Sequence, residues 1–266
     1  MDSFFWRGDI ARELDAEREL RRSVDCRWED TVDWPILSRE EIHLWYFSLN
    51  PRPMGSLVRV LSRDELARAR SIQTETGKRR FVSSRIILRS ILARYLGVSP
   101  GEVSFGYSSY GKPFLAKPPG QRRMEFSLSH SKDSAVLGVT IDQAIGLDVE
   151  VSTHMPEAQA LARRFFSDEE SQLIQSLAEN ARDEAFFRIW TAREAFLKAK
   201  GIGLTQQLSE IVIPSQRVEL NRFIRMTSGG RQRKSLSLSY LEPDPGLVVA
   251  LVAERADSKL ACWRWT

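Results

Sequence analysis

The stretch "FSLSHSKDSAVLGVTIDQAIGLDVE" (residues 126–150) alternates apolar and polar residues and is interrupted by short polar segments. A period of two is typical of β-strands, and the polar breaks predict turns between three successive strands. Residues i and i+2 of a strand point to the same face. We therefore expect Asp148 and Glu150 to share one face of the third strand. The apolar residues around them predict that the other face packs on the core and that the acids mark the opposite surface.

Several segments of the chain recur about a hundred residues later, in the same order. Such self-similarity predicts a duplicated structural unit, because chance similarity would not keep both the order and the offset. The matched segments, at offsets of 103 to 110, are "IHLWYFSLN" (42–50) with "IGLDVEVST" (145–153), "SRDEL" (62–66) with "SDEES" (167–171), "RFVSSRIILRSILARYLG" (80–97) with "AFFRIWTAREAFLKAKG" (185–201), and "FSLSH" (126–130) with "LSLSY" (236–240).

The repeat predicts an α+β fold, a pseudo-dimer of two similar modules, each with a small, mainly antiparallel sheet packed with helices. We place a helical N-terminal extension at residues 1–40, the first module at 41–143 and the second at 144–266. The cleft of such a pseudo-dimer is the expected place for a ligand. Since the duplication lies inside the chain, we expect a monomer.

The second module alone carries a set of acids in the repeated segments. The first module has Trp45, Phe47 and Ser90 at the positions of Asp148, Glu150 and Glu194. Two carboxylates on one strand and a third from a helix suit Mg²⁺, which prefers oxygen ligands. Lys198 would neutralise a phosphate one turn after Glu194. The alternative is a solvated strand face and an exposed i,i+4 ion pair worth about 0.2–0.5 kcal/mol.

The first module supplies positive charge and polar strand ends. "GKRRFVSSRIILRS" (77–90) carries Arg85 and Arg89 four apart on a predicted helix that Arg80 precedes, and "YGKPFL" (110–115) puts Lys112 in a Gly-Pro turn. Ser129 and His130 end a strand beside a turn, where they can contact a ligand. Arg89 and Arg94 are expected to be ordinary soluble surface.

The composition limits the classes of binding partner and the cellular compartment that we expect. The net charge of +4, without a dominant basic run, favours a small anionic ligand or an acidic protein over nucleic acid. Cys26 and Cys262 lie near opposite ends of the chain, so neither a disulfide framework nor a cysteine metal site is expected. We find no signal peptide and no apolar run of about 20 residues that would span a membrane. These features predict a cytoplasmic protein.

The ordered motifs "YGKP", "FSLSHS", "IGLDVE", "RFFSDEE" and "WTAREAFLKAKGIGL" resemble those of the 4′-phosphopantetheinyl transferases of the Sfp type. The resemblance covers residues 60 to 205 and agrees with the pseudo-dimeric architecture of that family. It implies transfer of the phosphopantetheine arm of coenzyme A to a serine of an apo acyl or peptidyl carrier protein, with release of 3′,5′-ADP. It does not say which carrier protein is the acceptor.

The resemblance also implies roles for individual residues. Asp148, Glu150 and Glu194 would hold Mg²⁺ against the pyrophosphate, and Glu194 would act as the base, directly or through a water. Lys198 would contact the pyrophosphate and assist departure of 3′,5′-ADP. The implied ligands of the coenzyme A phosphates are Lys112, Ser129, His130 on the 3′-phosphate side, and also Arg80 and Arg85.

One residue departs from the family pattern. Arg193 stands where the family usually has Lys, and a planar guanidinium differs from a compact ammonium in its contact geometry. We expect this change to affect phosphate affinity or the choice of carrier protein.

Two other functions remain open at this stage. One is a non-catalytic coenzyme A-binding or regulatory protein of the same fold, and the other is a different metal-dependent phosphoryl-transfer enzyme, such as a nuclease. The intact acids argue against the first, and the modest charge argues against the second.

Overall fold

The computed structural model describes residues 24, 26–30, 33–50, 55–116, 123–202, 211–212, 222–226 and 236–266. The fold is α+β, as predicted, and the chain divides into two compact units. The first unit comprises residues 27–142 and 258–266, and the second comprises 143–257 with the described residues before 27. The predicted helical extension lies largely outside the described residues, and its residues Trp28–Asp30 form a β-strand.

The first unit is built on a five-stranded sheet in the order β1-β12-β2-β6-β5. Its C-terminal strand, β12, runs parallel to β1 and β2. We expected residues 259–265 in the second module, because the repeat predicts that module at 144–266. The remaining strand pairs of this sheet are antiparallel. The elements are β1 (Trp28–Asp30), β2 (Glu41–Ser48), α1 (Arg63–Ser71), α2 (Glu75–Leu96), β3 (Phe105–Tyr107), β4 (Pro113–Leu115), β5 (Met124–Ser131), β6 (Ser134–Ile141), β12 (Lys259–Trp265) and short 3₁₀ helices at Gly55–Val60 and Pro100–Glu102.

The second unit contains an antiparallel sheet in the order β7-β11-β10-β9-β8, so that β7 is an edge strand. Helix α5 covers this sheet with a row of small and aromatic residues that belong to one buried core. The elements are β7 (Ile145–Val151), α3 (Ala158–Phe165), α4 (Asp168–Ser176), α5 (Glu179–Lys200), β8 (Ile211–Val212), β9 (Arg222–Met226), β10 (Leu236–Leu241) and β11 (Leu247–Ala253).

The same start signal precedes the long helix of each unit. The Ser62 side chain accepts a hydrogen bond from the Glu65 backbone N–H, and the Glu65 carboxylate accepts one from the Ser62 N–H. Ser167 and Glu170 make the same capping box at the start of α4. These boxes satisfy backbone donors that a helix start otherwise leaves without partners. The repeated "SRDEL" and "SDEES" segments are therefore two copies of one local structure.

The long helices themselves also match. Helices α2 and α5 each have 22 residues. Each ends at a glycine in the left-handed region, Gly97 with φ 67° and Gly201 with φ 68°. Glycine adopts this conformation without a Cβ clash, which explains why both helices stop there.

Buried ion pairs attach the long helices to the preceding short ones. The Glu65 carboxylate accepts from Nε of Arg85 at 2.6 Å and from Nε of Arg89 at 2.8 Å. All three side chains are at most 8% exposed. The expectation that Arg89 lies on the surface is therefore wrong, because a buried carboxylate and two backbone carbonyls hold its guanidinium.

The structure also bears on two expectations from the composition, which concern membrane-spanning segments and the two cysteines. None of the described helices is long and apolar enough to cross a membrane. Cys26 and Cys262 are both disulfide-bonded, so the expectation that these cysteines form no disulfide framework is wrong.

His43 lies in an aromatic cluster on β2 and is 1% exposed. The Tyr95 hydroxyl accepts from Trp45 Nε1 at 2.9 Å and shares a hydrogen bond of 2.8 Å with His43 Nδ1. Burial lowers the pKa of His43 from 6.5 to about 4, although Glu41 opposes the shift.

We predict that this unit loses stability as the pH falls from 7 to 5. Between pH 6.5 and 4 the unfolded state binds the His43 proton and the folded state does not, so the free energy of unfolding rises with pH in that window. The lowering of the His43 pKa to about 4 corresponds to a loss of about 2 kcal/mol between pH 7 and pH 5. Urea unfolding followed by tryptophan fluorescence measures it. His43→Gln cannot titrate and should lose this slope; an equal slope in the variant would contradict the assignment.

Candidate active site

The two strand acids lie on the face of β7 that helix α5 covers. Gly146 shares this face with Asp148 and Glu150, since the three alternate along the strand. A Cβ on Gly146 would lie 1.8 Å from the backbone oxygen of Ala195, which locates the helix directly over this face. Asp148 is only 5% exposed.

The expectation that the acids mark an open surface is therefore wrong. Leu147 and Val149, on the other face of β7, are also buried. Both faces of this edge strand are covered, and Asp148 lies inside the second unit beside α5.

Lys198 and Glu194 approach the strand acids from α5. The Lys198 ammonium donates to Oδ1 of Asp148 at 2.6 Å, so Lys198 pairs with the strand. Burial raises the pKa of Glu194, and the negative charges of Asp148 and, to a smaller extent, Glu150 raise it further, whereas Lys198 lowers it. The four predicted residues of the second unit are thus brought into one electrostatic cluster.

The donor set of this cluster fits a hard divalent cation. Three carboxylates with one lysine carry an excess of negative charge when all four groups are ionised, and burial together with Asp148 raises the pKa of Glu194 despite Lys198. Oxygen ligands of this kind suit Mg²⁺. Within the described ranges no three His, Cys, Asp or Glu side chains are close enough to hold a metal ion as they stand. Binding would require the carboxylates to close in and Lys198 to release Oδ1 of Asp148.

The predicted ligands of the first unit lie on two hairpins. Lys112 follows Gly111, whose φ of 80° allows the tight turn between β3 and β4. The Lys112 N–H donates to the Ser108 hydroxyl at 3.1 Å. Ser129 and His130 lie near the end of β5, where Ser129 is buried and His130 is exposed.

Arg80 reaches the same β5–β6 hairpin. Its Nε donates to Oδ1 of Asp133 at 2.8 Å, and Asp133 lies in the turn three residues after His130. The structure thus brings a cation and His130 to one end of this hairpin.

Arg85 is not placed with these ligands. Its guanidinium pairs with Glu65 and stacks 4.5 Å above the Phe105 ring, within the buried ion-pair cluster. A cavity of about 350 Å³ lies beside this cluster and is lined by Arg89, Phe105 and Tyr107 among others, but by none of the predicted ligands. The geometry gives Arg85 a structural role.

Comparisons with known proteins agree with the motifs. The model of the 4′-phosphopantetheinyl transferase superfamily matches residues 144–252, and that of the 4′-phosphopantetheinyl transferase N-terminal domain matches residues 50–141. The chain is 38% identical to the 4′-phosphopantetheinyl transferase HetI of Nostoc sp. (strain PCC 7120) over 217 residues, which are 81% of this chain and 88% of HetI. The chain belongs to the 4′-phosphopantetheinyl transferases.

More distant relatives carry the same activity in their names. A phosphopantetheinyl transferase of Thraustochytrium sp. is 27% identical, with 77% of this chain and 75% of the relative covered. The human L-aminoadipate-semialdehyde dehydrogenase-phosphopantetheinyl transferase is 25% identical, with 72% and 70% covered. The protein is thus an enzyme that transfers phosphopantetheine.

Arg193 of this transferase is a structural residue. Its side chain is 1% exposed, pairs with Glu170, donates to the Phe165 carbonyl at 3.0 Å and stacks above the Phe166 ring. The expectation that Arg193 affects phosphate contacts is therefore not supported, because its guanidinium is turned into the core of the second unit. The pair repeats the Glu65–Arg89 pair of the first unit.

Two residues that support this transferase's candidate site are not evident from the sequence pattern. No periodicity shows which backbone a glycine such as Gly146 touches. Asp133 lies in the turn "HSKDS" and pairs with Arg80. The turn itself was the available signal for Asp133, since a carboxylate beside a basic helix favours an ion pair.

We predict that Arg193→Lys lowers the free energy of unfolding and leaves the affinity for coenzyme A unchanged. Lysine lacks the planar guanidinium of arginine and cannot donate to both Glu170 and the Phe165 carbonyl. A buried charge-assisted hydrogen bond worth about 1.5–3 kcal/mol is therefore lost. Urea unfolding and calorimetric titration with coenzyme A measure the two effects. A loss of affinity greater than threefold at unchanged stability would instead place Arg193 near the phosphates.

Proposed function

We propose that this transferase is of the Sfp type and moves 4′-phosphopantetheine from coenzyme A to a serine of an apo acyl or peptidyl carrier protein, with Mg²⁺ required and 3′,5′-ADP released. The observation that carries this proposal is the cluster on β7 and α5, in which Lys198 donates to Asp148 at 2.6 Å and the charges of Asp148, Glu150 and Lys198 all act on Glu194. We keep the predicted monomeric state and cytoplasmic location as expectations.

The three carboxylates would hold the metal ion. A bound Mg²⁺ neutralises charge on the pyrophosphate oxygens and orients the group that is attacked. Asp148 and Glu150 come from one strand and Glu194 from the facing helix, so the ion would join the two elements. In this structure the Lys198 ammonium pairs with Asp148. In the reaction it would instead contact the pyrophosphate.

Glu194 is the proposed base. A serine hydroxyl is a weak nucleophile at neutral pH and must lose its proton as it attacks. Burial and Asp148 raise the pKa of Glu194, but a bound Mg²⁺ would oppose this shift, so proton transfer to Glu194 through a water is the preferred form of the proposal. The serine oxygen forms a bond to the β-phosphorus of coenzyme A. The bond from that phosphorus to the bridging oxygen breaks, and 3′,5′-ADP leaves with the negative charge that Lys198 stabilises.

The first unit would bind the remaining phosphate charge. Lys112 on its turn and His130 at the hairpin end are the proposed contacts, with Ser129 supporting them. Arg80 joins them because Asp133 holds it at the same hairpin. We assign no ligand role to Arg85, which is committed to Glu65.

The two units would derive from one duplicated module. The shared capping boxes, 22-residue helices, left-handed glycine ends and buried glutamate–arginine pairs support this proposal. In the first unit Trp45 takes the position of Asp148 and stacks on Trp34 and Trp263 at 4.7 and 5.1 Å. An aromatic core there leaves no place for a metal ion, which agrees with a single active site in the chain.

We predict that Glu194→Ala abolishes transfer without unfolding the protein. Mass spectrometry of an apo carrier protein after incubation with coenzyme A and Mg²⁺ should show one added phosphopantetheine group with the wild-type enzyme and none with the variant or with EDTA. Glu179→Ala changes an exposed glutamate on the same helix and serves as the matched control. Normal turnover in Glu194→Ala would remove this residue from the mechanism.

We predict that His130→Ala weakens coenzyme A binding at least tenfold and dephospho-coenzyme A binding much less. Only the former ligand carries the 3′-phosphate that His130 is proposed to contact. Calorimetric titrations with both ligands measure the difference. His154→Ala, which removes another exposed histidine, should leave both affinities unchanged. Equal losses for the two ligands in His130→Ala would refute its assignment to the 3′-phosphate.

A further inference from the structure

Among the described glycines of the second unit, Gly146 approaches another backbone most closely, and it lies beside the acid cluster. A Cβ on Gly146 would lie 1.8 Å from the Ala195 oxygen and 2.4 Å from the Ala199 nitrogen. Both are main-chain atoms of α5 and cannot rotate away. Ordinary contact begins at 3.4 Å, so any side chain here would have to move strand and helix apart by about 1.6 Å.

This contact is adjacent to each charged group of the cluster. Gly146 precedes Asp148 by two residues on the same face, Ala195 follows Glu194, and Ala199 follows Lys198. The separation of β7 from α5 at Gly146 therefore controls how far Glu194 and Lys198 lie from the strand acids. The 2.6 Å ion pair between Lys198 and Asp148 is a direct readout of that separation.

The first unit shows that this fold does not require such a close approach. At the positions that align with Gly146 and Ala199 it has His43 and Tyr95, large side chains joined by a hydrogen bond of 2.8 Å. The same strand and helix are thus separated there by side chains. Direct backbone contact is found in the unit that carries the acids, which favours a role in the site over a general need of the repeat.

We propose that Gly146 is a positioning residue, which with Ala195 and Ala199 sets the distance between the two groups of ligands. This inference rests on the proposed metal site formed by Asp148, Glu150 and Glu194. Gly146 itself touches neither substrate nor metal. A side chain there would move α5 away from β7 and so increase the distance that the helix and strand carboxylates must close to bind one cation.

The test compares metal binding and transfer in Gly146→Ala with those in the wild type. Because a 1 Å misplacement costs up to a hundredfold in an active site, we expect Mn²⁺ affinity, measured by calorimetry with coenzyme A present, to fall at least tenfold. The Mg²⁺ concentration for half-maximal transfer should rise by a similar factor. Affinity for coenzyme A measured without metal should change less than threefold.

A second readout does not depend on the metal. A double-mutant cycle with Asp148→Asn and Lys198→Met measures, through unfolding, how strongly this ion pair couples. We expect the coupling to fall by at least half when Gly146 is replaced by Ala. If the wild type binds no metal, the proposed function fails, whereas loss of coupling in the variant would still support the positioning role.

Matched variants separate positioning from general destabilisation. Gly101→Ala adds a Cβ where no atom lies within 4 Å and should leave both readouts unchanged. Ile174→Val removes one methylene from the same buried core at a position on α4, and should keep normal metal affinity. Ala195→Val adds volume at the fully buried helix residue whose backbone oxygen faces Gly146, and provides a second test if Gly146→Ala does not fold.

Normal metal affinity and undiminished coupling in a folded Gly146→Ala or Ala195→Val protein would overturn the proposal. So would an equal loss of metal affinity in Ile174→Val, because the effect would then follow stability alone.

Discussion

The buried pair of Glu170 and Arg193 is the interaction on which the geometry of the second unit depends. Oε2 of Glu170 accepts a hydrogen bond from the Ser167 N–H at the start of α4. The same oxygen pairs with the Arg193 guanidinium on α5. A buried charge without its partner costs several kcal/mol, so this pair fixes how α5 is rotated and how far it is shifted along its axis. Glu194 follows Arg193 directly and is thereby directed toward β7, on the flank of the helix.

The first unit contains the same kind of buried glutamate–arginine interaction, but its strand and helix pack on each other differently. Glu65 caps α1 and binds Arg85 and Arg89 of α2. Helix α2 meets its strand through Tyr95 and His43, within a stack of tryptophans, where α5 meets β7 through Gly146 and alanines. One local architecture thus supports an aromatic core in one copy and a cluster of charges in the other. The difference lies in the side chains between strand and helix.

Most of the local structure could be predicted from the sequence, because it follows from short-range signals. The period-two stretch at 126–150, the capping boxes and the glycine ends of the long helices all depend on neighbouring residues. Three features depend on distant contacts and were missed or misjudged: β12 pairs with β2, Arg193 is buried, and the face of Asp148 is covered by α5. No local pattern shows which side of an edge strand a helix will cover. The ligand types were predicted from the motifs, but their burial and pKa shifts required the packing.

The central claim is that strand and helix carboxylates together hold a divalent cation where Lys198 now pairs with Asp148. A crystal of the wild-type protein with Mn²⁺ and coenzyme A, measured at the manganese absorption edge, tests it directly, because the anomalous signal locates the ion. The account predicts one peak at coordination distance from Asp148, Glu150 and Glu194, with the Lys198 ammonium moved away from Oδ1 of Asp148. A peak elsewhere, or bound coenzyme A with the Lys198–Asp148 pair intact and no manganese beside it, would contradict the account.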